Sequence, residues 1–200
     1  IMIGNRPDMY NLKAKKPSPF VERQLRFEIN ERISSEGEIL VPLDLKALDN
    51  IIATCKQNKV EKIAIQFMHS YLVTENEKKC AEYLKNKIPN VSITISSDIT
   101  REWREFERAN TAVLNAYVQP IVLKYFNNLE KKLKELGLNC NFTAMQSNGG
   151  TTSFNWAKEH PITLVESGPA AGVNAAILVG NLSKNKNIIY FDVGGTTTKC

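Results

Sequence analysis

Between residues 44 and 95 short apolar runs alternate with amphipathic stretches, and few folds accommodate that order. Asp44 stands where it can cap a helix whose apolar residues Leu45, Leu48, Ile52 and Cys55 keep to one face. Residues 62–67 (KIAIQF) then read as a buried strand. Thr74 and Glu77, three apart, have the form of a capping box, in which each side chain satisfies the other's free backbone N–H. Pro89 ends that second helix, and residues 91–95 form the next strand. Strands joined through a helix pair in parallel by a right-handed crossover, so the expected fold is α/β with a mostly parallel sheet.

On either side the pattern is less regular. Residues 4–20 (GNRPDMYNLKAKKPSPF) contain three prolines and read as an extended opening segment. Residues 25–29 (LRFEI) alternate as a half-buried strand does, Glu36-Gly37 supplies a turn, and residues 39–41 form a second short strand. Residues 101–136 carry the longest helical pattern. Phe106, Val113, Tyr117, Ile121 and Tyr125 share one stripe, joined by Leu114, Val118, Leu129, Leu133 and Leu136. Pro120 lacks an N–H and is expected to kink or split this helix. Gly137 stops it, with Lys131, Lys132 and Lys134 at the negative end of its dipole. Residues 142–146 form another strand, running into Ser147, Asn148, Gly149 and Gly150. Ligand loops of α/β proteins follow strands in this way, and so do plain turns.

Composition removes several function classes. The net charge of +5 is mildly basic, but no Arg/Lys run alternates with aromatics, so a nucleic-acid partner is not expected. No apolar run is long enough to span a bilayer, and none has the form of a signal peptide. The four cysteines are far apart and build neither a disulfide framework nor a zinc site, which makes a reduced cytoplasm the expected location. His69 and His160 have no partner at metal-ligand spacing, and no Ser/His/Asp triad or nucleophilic cysteine is recognisable. The sequence opens without an initiator methionine and closes just past a glycine turn. It is therefore expected to be an internal piece of a longer protein.

The chemistry is concentrated at residues 187–198 (NIIYFDVGGTTT). An apolar strand delivers Asp192 to its tip, and Gly194 and Gly195 turn the backbone sharply. Without Cβ atoms, these glycines let backbone N–H groups approach a phosphate closely. The hydroxyls of Thr196, Thr197 and Thr198 can donate to phosphate oxygens, and Asp192 can hold a hydrated Mg2+. The plain alternative is a tight hairpin bearing a surface aspartate. Just upstream, residues 166–177 (ESGPAAGVNAAI) form a helix of small residues, with Pro169 in its first turn. Gly168, Pro169, Ala170, Ala171 and Gly172 make it either an interdomain hinge or a tightly packed core helix.

A small-residue helix, a short linker, an apolar strand and a DxGGT turn, in that order, resemble the actin-like ATPase (ribonuclease H-like) superfamily shared by heat-shock chaperones and sugar kinases. One branch of it is similar over nearly the whole chain, the hydantoinase A/5-oxoprolinase/acetone carboxylase family. The resemblance rests on GNRPDMYNL near the start, ERISSEGEILVPLD at 31–44, IAIQFMHSY at 63–71, REFERANTAVLNAYVQP at 104–120, MQSNGG at 145–150, and ESGPAAGVNAA ahead of FDVGGTTTK.

The resemblance implies an ATP-dependent enzyme that uses Mg2+ and opens cyclic amides of the hydantoin or 5-oxoproline type by phosphorylating the carbonyl oxygen. Within the same family the alternative is a subunit of an ATP-dependent ketone carboxylase. A non-catalytic regulatory ATPase or a subunit-assembly module are the other readings. A partner subunit of the hydantoinase B type is expected. The resemblance assigns residues 21–140 to an α/β region of the family's N-terminal domain. It assigns 141–200 to the SNGG loop, the connecting helix and the start of the second actin-like domain with its phosphate loop. It also makes Glu105, Arg108 and Thr111 candidate cleft positions, beside residues 147–150, which are candidates only as a loop following a strand. The family often has an acidic residue where this chain has Lys199.

Overall fold

The computed structural model describes Lys13 and residues 18–200. Most of the expected opening segment, and with it the GNRPDMYNL motif, lies outside these residues. The chain divides into two units, one ending at Tyr117 and the other beginning at Val118.

The first unit is built on one parallel pair. β3 (Lys62–Ile65) and β4 (Ser92–Ile95) run in register from Lys62 opposite Ser92 to Ile65 opposite Ile95, joined through α2 (Glu75–Lys87). Asp44 caps as expected, its carboxylate accepting from Lys46 N at 3.0 Å and Ala47 N at 3.4 Å. It thereby starts a short 3-10 turn that leads into α1 (Leu48–Gln57). Leu48, Ile52 and Cys55 of α1 are buried, and Leu48 and Ile52 share a core with Ile65, Cys80, Ala81, Leu84 and Ile88. β1 (Arg32–Ile33) and β2 (Ile39–Val41) form a separate hairpin around the turn at Gly37. α3 (Ser96–Ile99) follows β4 directly.

Four expectations change here. The expected strand at 25–29 is instead a 3-10 turn, Arg23–Leu25, followed by extended chain with no strand partner among the described residues. Only Leu25 and Ile29 of its apolar positions are half-buried, because Arg26 turns back to donate from Nε to Val21 O at 2.8 Å and leaves Phe27 on the surface. The sheet is not mostly parallel. Of the four two-stranded sheets described, three are antiparallel. Their connections are a few residues long, too short for the dozen or so a parallel crossover requires.

The capping box does not form either. Thr74 takes the helical conformation and makes no side-chain cap bond. Glu77 is fully buried, its Oε1 accepting from Phe67 N at 2.9 Å and Ser96 Oγ at 2.7 Å, and its Oε2 from Ser97 N at 2.9 Å. Three donors around one buried carboxylate outweigh a solvent-side cap bond.

The long helix forms as α4 (Glu105–Glu135), with Pro120 inside it and no break. Its expected stripe is not its buried face: Tyr117, Ile121 and Tyr125 are 61–67% exposed. The buried side runs instead through Arg108, Ala112, Asn115 and Ala116, and in the second unit through Phe126. A helix with apolar residues on several faces buries the one its neighbours can reach closely, and here that face is built on alanines. Its C-terminus closes as expected, with Leu138 N donating to Leu133 O and Gly137 N to Lys134 O at 3.1 and 2.9 Å.

In the second unit β5 (Thr143–Met145) and β6 (Thr151–Ser153) form a hairpin, followed by α5 (Phe154–Glu159) and α6 (Ser167–Ser183). Phe126, Phe154 and Ala157 form its core, with the Phe126 and Phe154 rings edge to face at 4.4 Å. Glu130 ties α4 to α5, accepting from Lys134 and from Lys158, each at 2.8 Å. These hydrogen bonds, Lys134's first, hold its carboxyl at about 2, below the ordinary 4.5. A carboxyl depressed by folding contributes stability above its unfolded value and loses it as the pH falls toward the folded one. The stability difference between the wild type and Lys158→Met is therefore expected to be constant above about pH 4.5 and to shrink between there and pH 2, as read from urea melts at stepped pH.

Candidate functional site

The DVGGTTT segment folds as a tight hairpin. β7 (Asp192–Val193) and β8 (Thr198–Lys199) pair antiparallel, with Asp192 opposite Lys199 and Val193 opposite Thr198. Gly194 N donates to Thr197 O at 2.9 Å, which leaves the N–H groups of Gly195 and Thr196 without an acceptor among the described residues. Thr196, Thr197 and Thr198 are exposed. Neither glycine adopts the left-handed φ that would exclude a side chain. A Cβ on Gly195 would meet nothing within 4 Å, and one on Gly194 only Thr197 O at an ordinary 3.5 Å. The chain's own packing thus requires glycine at neither position. Successive backbone N–H groups left without an intramolecular acceptor are what an anion-binding turn requires.

Asp192 is half-buried, and no hydrogen bond or ion pair engages its carboxylate among the described residues. No group of three or more His, Cys, Asp or Glu gathers there. A single free carboxylate is nonetheless compatible with Mg2+, which takes few protein ligands and completes its shell with water and phosphate oxygens.

The expected apolar strand before Asp192 is not a strand. Residues 187–191 have no strand partner among the described residues and run along α6 instead. Tyr190 and Ile188 face the helix at Gly172 and Gly180, where any Cβ would overlap the Tyr190 phenol or the Ile188 side chain, while Ile189 and Phe191 stay on the surface. Of the expected hinge residues, Gly172 is accounted for by this close approach. Gly168, Pro169, Ala170 and Ala171 form the first turns of α6, and Gly168 has no neighbour within 4 Å of a built Cβ. Glu166 precedes them with a left-handed backbone, φ 63°, and its carboxylate is ion-paired with Lys199.

Ser147, Asn148, Gly149 and Gly150 are the loop of the β5–β6 hairpin, and several of their polar groups are engaged within the unit. Gln146 N donates to Gly150 O at 2.8 Å, Ser147 Oγ to Thr163 O at 2.5 Å, and Gly150 N to Asn148 Oδ1 at 2.8 Å. Gly149 has φ 80°, a conformation costly for other residues, and its carbonyl accepts from Asn174 Nδ2 of α6 at 2.8 Å. The small-residue helix and the SNGG loop are therefore directly linked. Asn174 was not singled out from the sequence, since an asparagine amid alanines gives no local sign of a distant partner.

In the first unit, Arg108 and Glu105 meet at 3.2 Å. Arg108 is fully buried and hydrogen-bonded through each of its three nitrogens: Nε donates to Ser96 Oγ at 3.3 Å, Nη1 to Glu102 O at 2.5 Å and Nη2 to Phe67 O at 2.9 Å. Burial alone would raise the Glu105 carboxyl, but the His69 N–H and the Arg108 guanidinium outweigh it and hold it below its usual range. Thr111 bonds back to Glu107 O at 2.8 Å within the helix. His69 itself has φ 56° and a buried Nδ1 with no hydrogen-bond partner among the described residues. Burial, with Glu77 nearby, pushes the Cys80 thiol to about 12 and removes it as a nucleophile.

The hydantoinase/oxoprolinase profile matches residues 108–200, and the profile of the hydantoinase/oxoprolinase N-terminal region matches residues 1–88. The chain belongs to the hydantoinase/oxoprolinase family. An uncharacterised relative from Methanocaldococcus jannaschii is 40% identical over 97% of this chain and 28% of its own length. Among solved structures, a nucleotide-free acetone carboxylase matches with a TM-score of 0.86 at 28% identity, over 92% of this chain and 26% of that one. The ATP-dependent caprolactamase of Pseudomonas jessenii matches with a TM-score of 0.81 at 27% identity, over 98% and 28%. The chain thus spans between a quarter and a third of the length of these relatives.

Proposed function

We propose that this chain is part of an ATP-dependent hydrolase that opens cyclic amides of the hydantoin or 5-oxoproline type. The observation that carries this reading is the Gly194–Gly195 turn, where glycines and free N–H groups serve no need of the fold and suit a phosphate. Membership of the hydantoinase/oxoprolinase family and likeness to an ATP-dependent caprolactamase, a cyclic-amide enzyme by its name, support it. Lactam resonance resists attack by water, and phosphorylating the carbonyl oxygen makes the carbonyl carbon a better electrophile. Phosphoryl transfer asks of a protein mainly positioning and charge neutralisation. In this reading the N–H groups of Gly195 and Thr196 and the hydroxyls of Thr196, Thr197 and Thr198 hold phosphate oxygens, and Asp192 holds Mg2+. When bound, Mg2+ would offset the phosphate charge. The small-residue turns of α6 act as the hinge at the start of a second actin-like domain. A partner subunit and a cytoplasmic location complete the proposal, the latter consistent with four free cysteines. Ketone carboxylation is the second reading, favoured by the acetone carboxylase likeness.

The test is ATP hydrolysis by the intact protein with 5-oxoproline, hydantoin or acetone. Stimulation by a cyclic amide supports the first reading, and stimulation by acetone with bicarbonate the second. Gly195→Ala separates loop function from loop structure. A Cβ there meets open space, so stability is expected to stay within about 0.5 kcal/mol while ATP affinity falls roughly tenfold or more through lost close approach. Thermal melts and nucleotide titration read the two effects, and unchanged affinity would remove the loop from the site.

A further inference from the structure

We infer that Glu166 is a positioning residue that draws Lys199 away from Asp192 and so keeps the Asp192 carboxylate open for a divalent cation. The inference rests on the phosphate-loop reading above. Asp192 and Lys199 are directly opposed across the β7–β8 pair. Opposed residues on one face of an antiparallel pair have Cβ atoms about 5 Å apart, and opposite charges there attract. The ammonium of Lys199 is nevertheless paired with Glu166, and Asp192 has no partner among the described residues. Glu166 reaches it from a left-handed backbone at the start of α6, a conformation uncommon outside glycine. A lysine neutralising Asp192 would compete directly with the cation. The Glu166–Lys199 pair removes that competitor and fastens the hairpin to the helix.

The test uses the intact protein and reads Mg2+-dependent nucleotide binding, together with Mn2+ binding by electron paramagnetic resonance in the presence of ATP. Glu166→Gln frees Lys199 to turn to Asp192. It is expected to raise the cation concentration needed for half-maximal binding by roughly three- to fivefold, the scale of one opposed charge pair. Adding Lys199→Gln to that variant is expected to restore the wild-type requirement, which a damaged fold would not do. An unchanged cation requirement in Glu166→Gln, or failure of the second substitution to restore it, overturns the inference. Asp192→Ala tells the two readings apart. If it abolishes cation-dependent binding while Glu166→Gln has no effect, only the role of Glu166 falls. If Asp192→Ala leaves cation-dependent binding intact, the phosphate-loop reading falls and takes this inference with it.

Discussion

Asp192→Ala in the intact protein is expected to lower substrate-stimulated ATP hydrolysis by roughly 100-fold or more, the scale at which removal of one group stabilising transition-state charge is felt. Thermal stability is expected to be unchanged, because no hydrogen bond or ion pair of the described structure ends on this carboxylate. Steady-state hydrolysis beside a thermal melt checks both halves. A variant that keeps activity within a few-fold would show that the hairpin is only a hairpin. Loss of activity together with loss of fold would show that Asp192 has a structural partner, against the geometry found here.

The second large effect is on stability. Glu77→Ala deletes the acceptor of Phe67 N, Ser96 Oγ and Ser97 N at once, in a network whose Glu77, Ser96 and Ser97 are buried and which Ser96 extends to Arg108. Breaking a buried charged network by removing one member costs about 3–5 kcal/mol. Glu77→Gln keeps one oxygen for Phe67 N and Ser96 Oγ and puts an amide where Ser97 N donates. It is expected to cost less, about 1–3 kcal/mol for one unsatisfied donor. Urea melts that rank wild type, Gln and Ala in that order support the hub. An Ala variant within about 1 kcal/mol of wild type would mean that the three donors find other partners.

What was legible in the sequence was local. Asp44, the α1 face and the closing of α4 at Gly137 are all set by neighbours a few residues apart, and the parallel pair follows from the local strand–helix–strand order. Glu77 was misread because its spacing from Thr74 satisfies a capping pattern equally well, and only the arrival of Ser96 and Ser97, nineteen and twenty residues on, decides its role. Arg108 is a cleft candidate in the sequence and a buried, hydrogen-bonded residue in the structure, because a cluster of charges on a helix does not reveal which one turns inward. The stripe on α4 failed because periodicity finds apolar faces without saying which has a neighbour. At the DVGGTTT turn the residue types were readable, but the diversion of Lys199 to Glu166 depends on two segments thirty-three residues apart.

The contact between α6 and residues 187–191 bears on how this protein can drift over evolutionary time. Gly172 leaves no room for a side chain so long as Tyr190 lies against it, and Gly180 is bound to Ile188 in the same way. A methyl group acquired at 172 requires the Tyr190 phenol to move aside or position 190 to shrink. The helix and the segment leading to Asp192 are therefore expected to change as paired positions across descendants, each restricting the substitutions open to the other.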